Sequence, residues 1–116
     1  MNADQQHFVV AFKSDKMGSG DDQLGSLLIK AYINTLVEND NKPAALVFYN
    51  AGVLLAAEDS DTAPALQVLE EQGVELLLCG TCVEFFDLKQ RLAAGTISNM
   101  YAISDTLSST GHVIYP

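Results

Sequence analysis

Apolar and polar positions along this chain follow two alternating rhythms. Phe8-Val-Val-Ala-Phe12 is an unbroken run of strand-forming residues, the pattern of a strand covered on both faces. A polar stretch with Gly18 and Gly20 interrupts it, and Asp21 or Asp22 then supplies a helix cap. Leu24, Leu27, Leu28, Ala31, Tyr32 and Leu36 recur at three- and four-residue spacing, which predicts a helix with these residues on its apolar face. Asn39 to Lys42 closes that helix, and Pro43 opens the next unit. Ala44 to Tyr49 reads as a second buried strand, followed by a turn at Asn50-Ala-Gly52. A short helix runs from about Ala63 to Gln72 and ends at Gly73. Val74 to Leu78 is the third strand. A third helix then carries Phe85, Leu88 and Leu92 on one face and stops at Gly95. Beyond it the pattern predicts a short strand within Ile97 to Ile103, a helical turn over Ser104 to Ser109, and a last strand from His112 to Tyr115.

Strand–helix alternation repeated three times predicts an α/β fold, a three-layer α/β/α arrangement with a mostly parallel sheet of about five strands. Residues 7–116 form its single domain, and residues 1–6, polar throughout after Met1, form a flexible N-terminal tail. In such folds sites form where loops leave the carboxyl ends of strands. Three loops qualify: Ser14 to Gly20, Asn50 to Ser60, and Cys79 to Cys82.

Composition narrows the function classes. The 116 residues fit one domain, and 48% hydrophobic content supplies a core. Six Lys and Arg face 15 Asp and Glu, a formal charge of −9, which argues against nucleic acid or an anionic membrane as partner. The run from Phe8 to Phe12 is too short for an export signal, and no stretch approaches the ~20 apolar residues of a membrane span. Two cysteines three positions apart are not a secreted disulfide framework. A small, acidic, cytoplasmic domain is expected.

The Cys79-Gly80-Thr81-Cys82 loop carries the chemistry. Cys79 falls at a strand end and Cys82 in the first turn of a helix, where free backbone N–H groups and the helix dipole would stabilise a thiolate. A thiolate is the nucleophile of thiol exchange and of sulfane-sulfur uptake, and this spacing lets one thiol resolve an adduct on the other. Other readings stay open. Both cysteines could be inert core residues. A zinc site would need two more ligands, and His7 and His112, the only histidines, lack ligand spacing, so no metal and no cofactor is expected. A thioredoxin-like dithiol is possible in position, but no proline sits within the motif or faces it.

Met17-Gly18-Ser19-Gly20 lies between a strand and a helix, as a phosphate cradle would. It lacks the full dinucleotide pattern and the P-loop lysine, and Asp15, Asp21 and Asp22 would repel phosphate. It reads as a tight turn with a helix cap that can border a pocket facing the thiols. Glu70-Glu71 and Asp59-Ser-Asp61 read as solvated positions, Tyr49 and Phe86 as residues able to cover the thiols, and His112 as a structural strand residue.

Taken together, Ser14 to Gly25, Tyr49-Asn-Ala-Gly-Val53 and Leu78-Cys-Gly-Thr-Cys82 resemble the DsrE/DsrF-like sulfur-relay family. Within it, the chain is most similar to the C-terminal domain of YedF-type selenium-metabolism proteins, which Ser98-Asn-Met-Tyr101 also fits. The resemblance implies a parallel α/β fold, a tendency to form homo- or hetero-oligomers, and sulfur held as a persulfide on the Cys after a central strand. Cys79 best matches that Cys, with Cys82 as a resolving or relay thiol. Thr81 and the backbone around Gly80 would steady the thiolate, while Ser14, Asp15, Met17, Gly18, Asn50 and Gly52 would border the pocket. YedF-type proteins usually also carry an N-terminal TusA-like domain; the resemblance here covers about residues 8–116 and implies only the other domain.

The resulting expectation is a sulfur or selenium carrier, sulfurtransferase-like, working with a sulfur donor or acceptor protein such as a TusA-like carrier and forming a homo-oligomer. The alternatives are a non-catalytic oligomeric interaction module of the same fold, or a Cys-x-x-Cys dithiol oxidoreductase.

Overall fold

A computed structural model describes residues 8–116. The expected tail, residues 1–6, and His7 lie outside the described residues. Five parallel strands form one sheet: β1 (Phe8–Phe12), β2 (Ala45–Phe48), β3 (Glu75–Cys79), β4 (Thr96–Ser98) and β5 (His112–Ile114), in the spatial order β4-β3-β2-β1-β5. The helices are α1 (Asp22–Glu38), α2 (Ala63–Glu71), α3 (Gly80–Phe85) and α4 (Met100–Ser109), and a 3₁₀ helix spans Asn50–Ala56.

This strand order fixes the layers. The chain steps in one direction from β1 to β4, so right-handed crossovers place their helices on one face of the sheet. It then crosses back to the far edge to form β5, which places α4 on the opposite face. Side-chain alternation along the strands matches. Val10, Phe12, Leu46, Phe48, Leu76 and Leu78 pack with Ile29, Ile33 and Leu36 of α1 and Leu66 and Leu69 of α2. Val9, Ala11, Ala45, Val47 and Cys79 pack with Ile103 of α4. The fold is the expected three-layer α/β/α arrangement, and each large side chain fully buried in it contributes about 1.5–3 kcal/mol of hydrophobic stabilisation.

Several local expectations need correction. In α1 the buried residues are Gly25, Ile29, Ile33 and Leu36, whereas Leu24, Leu27 and Leu28 are 53, 63 and 44% exposed. Two overlapping apolar stripes run along this helix, and the one containing Ile29 and Ile33 faces the sheet. The third helix is shorter than its periodicity implies. Asp87 takes a left-handed conformation (φ 56°), its N–H donates to the Glu84 carbonyl, and Leu88 N–H donates to Val83. These bonds are a Schellman stop, so α3 ends at Phe85. Leu88 remains buried, Leu92 pairs with Ala57 in a short bridge, and Phe85 is 82% exposed instead of facing the core. Near the C-terminus, α4 begins at Met100 because Asn99 caps it, accepting from Ala102 N–H at 2.9 Å; residues 100–103 are therefore helical, not extended.

The remaining boundaries follow the sequence closely. Asp21 caps α1 through Leu24 N–H at 2.8 Å, and Gly73 (φ 96°) follows the end of α2. The segment after β2 is more ordered than a turn. It coils into the 3₁₀ helix, with Gly52 so close to β1 that an added Cβ would lie 2.0 Å from the Phe12 carbonyl oxygen.

Candidate functional site

Parallel strands deliver the ends of β2 and β3 to the same edge of the sheet. Phe48 of β2 pairs with Leu78 of β3, so Tyr49–Asn50 and Cys79–Gly80 leave side by side. Asn50 takes a left-handed backbone conformation (φ 52°), which Asn tolerates better than most residues. Its side-chain Oδ1 accepts from Ala51 N–H at 2.8 Å. Its own N–H points across the gap and donates to the Cys82 Sγ at 3.0 Å.

The two thiols have unequal surroundings. Cys79, the last residue of β3, is 4% exposed and packs on the α4 side of the sheet with Ala11 and Val47. Cys82 is half-buried and lines a cavity of roughly 360 Å³ together with Asn50, Thr81, Phe85 and Phe86. Cys82 packs against the buried cluster that contains Cys79, and both thiols are free. Phe85 and Phe86 meet edge to face, centroids 5.2 Å apart, and give the cavity an aromatic wall.

The electrostatics differ from the sequence expectation of a stabilised thiolate. Burial pushes the Cys82 thiol up from its ordinary pKa; the Asn50 N–H pulls it down, and the hydrogen bond and charge of Cys79 push it up again. The net direction is upward. A six-residue α3 offers only a short dipole, and one N–H does not outweigh the desolvation of the sulfur. The resting Cys82 is thus a protonated thiol at neutral pH, held against the donor that favours its anion. Tyr49, which packs against the same buried cluster, is also raised, by burial and then by the nearby Tyr115.

Of the residues expected at the site, Asn50, Thr81 and Cys82 come together around one cavity, and Cys79 lies in the buried cluster that Cys82 packs against. Gly80 instead faces β4, where an added Cβ would lie 2.9 Å from the Ser98 carbonyl oxygen. Gly52 packs on the end of β1 and supports Asn50 from behind. The loop after β1 goes elsewhere. Ser14 Oγ accepts from Lys16 N–H at 3.0 Å, Asp15 pairs with Lys16 at 3.0 Å, and Met17 packs on the core beneath α1. Asp15 lines a separate cavity with Ser60, Asp61 and Thr62, and Gly18 (φ 80°) turns the chain. The residue the sequence reading missed is Phe85. Adjacent residues such as Phe85 and Phe86 lie about 100° apart around a helix, so the two cannot both face the core, and that was the available signal.

Among the described residues no group of three or more His, Cys, Asp or Glu side chains could hold a metal ion, and no helix is long and apolar enough to cross a membrane. The model of the DsrE/DsrF-like family matches residues 6–116. The chain belongs to that family. Solved structures share its fold at low identity. The ychN protein from E. coli is 20% identical, with a TM-score of 0.63, over 96% of this chain and 99% of its own. MTH1491 from Methanobacterium thermoautotrophicum, a protein of unknown function, is 19% identical, with a TM-score of 0.65, over 96% and 99%. BT1422 from Bacteroides thetaiotaomicron, also of unknown function, is 13% identical, with a TM-score of 0.68, over 100% and 98%. No curated protein matches the chain.

Proposed function

We propose that this protein carries sulfur, or selenium in its place, as a persulfide, and that Cys82 is the thiol that loads. Sulfur relay is the typical work of the DsrE/DsrF-like family. The observation that carries the assignment is the position of Cys82 Sγ. It forms part of a cavity wall and accepts the Asn50 N–H at 3.0 Å, while Cys79 is 4% exposed behind it. This reverses the roles that resemblance implies for the two cysteines, because the thiol matching the family position is the one a donor cannot reach.

The cavity walls are Asn50, Thr81, Cys82, Phe85 and Phe86, which carry no formal charge. They leave room beside Cys82 for the sulfur-bearing tip of a donor side chain. A TusA-like carrier with a basic surface is the partner class that fits. The reading includes self-association, supported by the exposed Leu24, Leu27 and Leu28 stripe of α1, and a cytoplasmic location.

The test compares two single-cysteine variants by intact mass after exposure to sodium polysulfide under anaerobic conditions. Cys79→Ser should become heavier by one sulfur atom, and Cys82→Ser should remain unmodified. Uptake by Cys82→Ser alone would move the carrier to Cys79, and uptake by neither would end the carrier reading.

A further inference from the structure

We infer that the thiol pair also discharges its own cargo, releasing the carried sulfur as hydrosulfide and closing a Cys79–Cys82 disulfide. The inference rests on the carrier reading above and adds an activity to it, the reductive release of sulfane sulfur. Three placements carry it. Cys82 lines the cavity, so an outer sulfur bound to it has open space beside it. Cys79 is 4% exposed and belongs to the buried cluster that Cys82 packs against, which makes it the neighbouring thiol. Asn50 N–H holds Cys82 Sγ at 3.0 Å.

Displacement at a disulfide-type sulfur is most favourable with the attacking and leaving sulfurs on opposite sides. Cys79 supplies the neighbouring attacking thiol, and the cavity lined by Cys82 gives the leaving sulfur a way out. In the step, the Cys79 thiol gives up its proton and its sulfur attacks Cys82 Sγ. A bond forms between the two cysteine sulfurs, and the bond from Cys82 Sγ to the outer sulfur breaks. The outer sulfur leaves with that electron pair and takes the proton, departing as hydrosulfide. The outer sulfur is reduced by two electrons, and the cysteine pair is oxidised by two. Restoring the pair then needs an external dithiol reductant.

The same placements separate two fates for the loaded protein. An acceptor thiol entering the cavity meets the outer sulfur first and takes it intact, whereas an empty cavity leaves only Cys79 to react. Release as hydrosulfide is therefore the default of an unpartnered carrier, and transfer is the outcome when an acceptor is docked.

The experiment loads wild type and Cys79→Ser with sodium polysulfide without oxygen, removes the reagent by rapid desalting, and follows mass and free sulfide over time. Wild type should lose the added sulfur, release one sulfide per chain and end two hydrogens lighter than the reduced protein. Cys79→Ser should keep its adduct. Wild type that retains the adduct as long as the variant, with no disulfide and no sulfide, overturns the inference and leaves the carrier reading standing. Absence of an adduct in the variant together with absence of disulfide in wild type removes both. Wild type alone decides the matter if the variant does not fold.

Discussion

The backbone N–H of Asn50 donates to the Sγ of Cys82 across 3.0 Å, joining residues 32 apart in sequence. This one bond ties the segment after β2 to the helix after β3, and it depends on the left-handed backbone at Asn50. Asn50→Gly should preserve it, because glycine adopts φ 52° without a Cβ penalty. Asn50→Ala should cost about 1–2 kcal/mol in urea denaturation. If the two variants are equally stable, the conformation at residue 50 does not hold the site.

The pH behaviour of Cys82 follows from its raised pKa. The folded state holds this proton more tightly than the unfolded chain, so the associated stability is present at low pH and declines as pH rises past the ordinary thiol value of ~8.5. Alkylation of Cys82 by iodoacetamide should reach half its maximal rate above that pH. Cys79→Ala removes a neighbour that pushes the thiol up, so its midpoint should move down. A midpoint well below ~8.5 in wild type would instead describe a stabilised thiolate.

Gly52 supports the site from a distance. An added Cβ would lie 2.0 Å from the Phe12 carbonyl oxygen, and the contact is with backbone that cannot rotate away. Gly52→Ala should destabilise the fold by about 1–3 kcal/mol, measured by thermal denaturation, through displacement of the 3₁₀ helix that carries Asn50. An unshifted melting curve would show that the two segments separate freely.

Phe85 offers the opposite contrast. At 82% exposure its removal should change stability by less than about 1 kcal/mol, the value of its edge-to-face contact with Phe86. Phe85→Ala should nevertheless slow sulfur uptake from a protein persulfide donor several-fold, since it removes half of the aromatic wall. Equal uptake rates would leave Phe85 without a part in docking.

The exposed stripe of α1 predicts self-association. Sedimentation of wild type should give a mass above that of one chain, and Leu27→Glu, at a position 63% exposed, should shift it toward the monomer without loss of helix content. A wild type that sediments as a single chain at all concentrations contradicts this.

Much of the fold was legible because its strands are unbroken apolar runs that only a doubly covered sheet accommodates. The face of α1 was not, because Leu24, Leu27 and Leu28 form as regular a stripe as Gly25, Ile29 and Ile33. Periodicity alone cannot say which stripe meets the sheet. The end of α3 was hidden because an aspartate, Asp87, occupies the left-handed stop where glycine is the usual signal. At the site, spacing brought Cys79 and Cys82 together but could not rank them. That ranking comes from burial, which depends on α4 closing over one side of the sheet from far along the chain. The Ser14–Gly20 loop looked like a third wall by topology, yet Met17 N–H, donating to the Gly25 carbonyl at 3.0 Å, holds it against α1.

The central claim is that Cys82, rather than Cys79, receives sulfur. Wild-type protein exposed briefly to sodium polysulfide, trapped at once with iodoacetamide and digested, yields a peptide in which fragmentation locates the added sulfur. The account predicts that the earliest adduct sits on Cys82, with Cys79 unmodified or joined to it. An earliest adduct on Cys79 would contradict it.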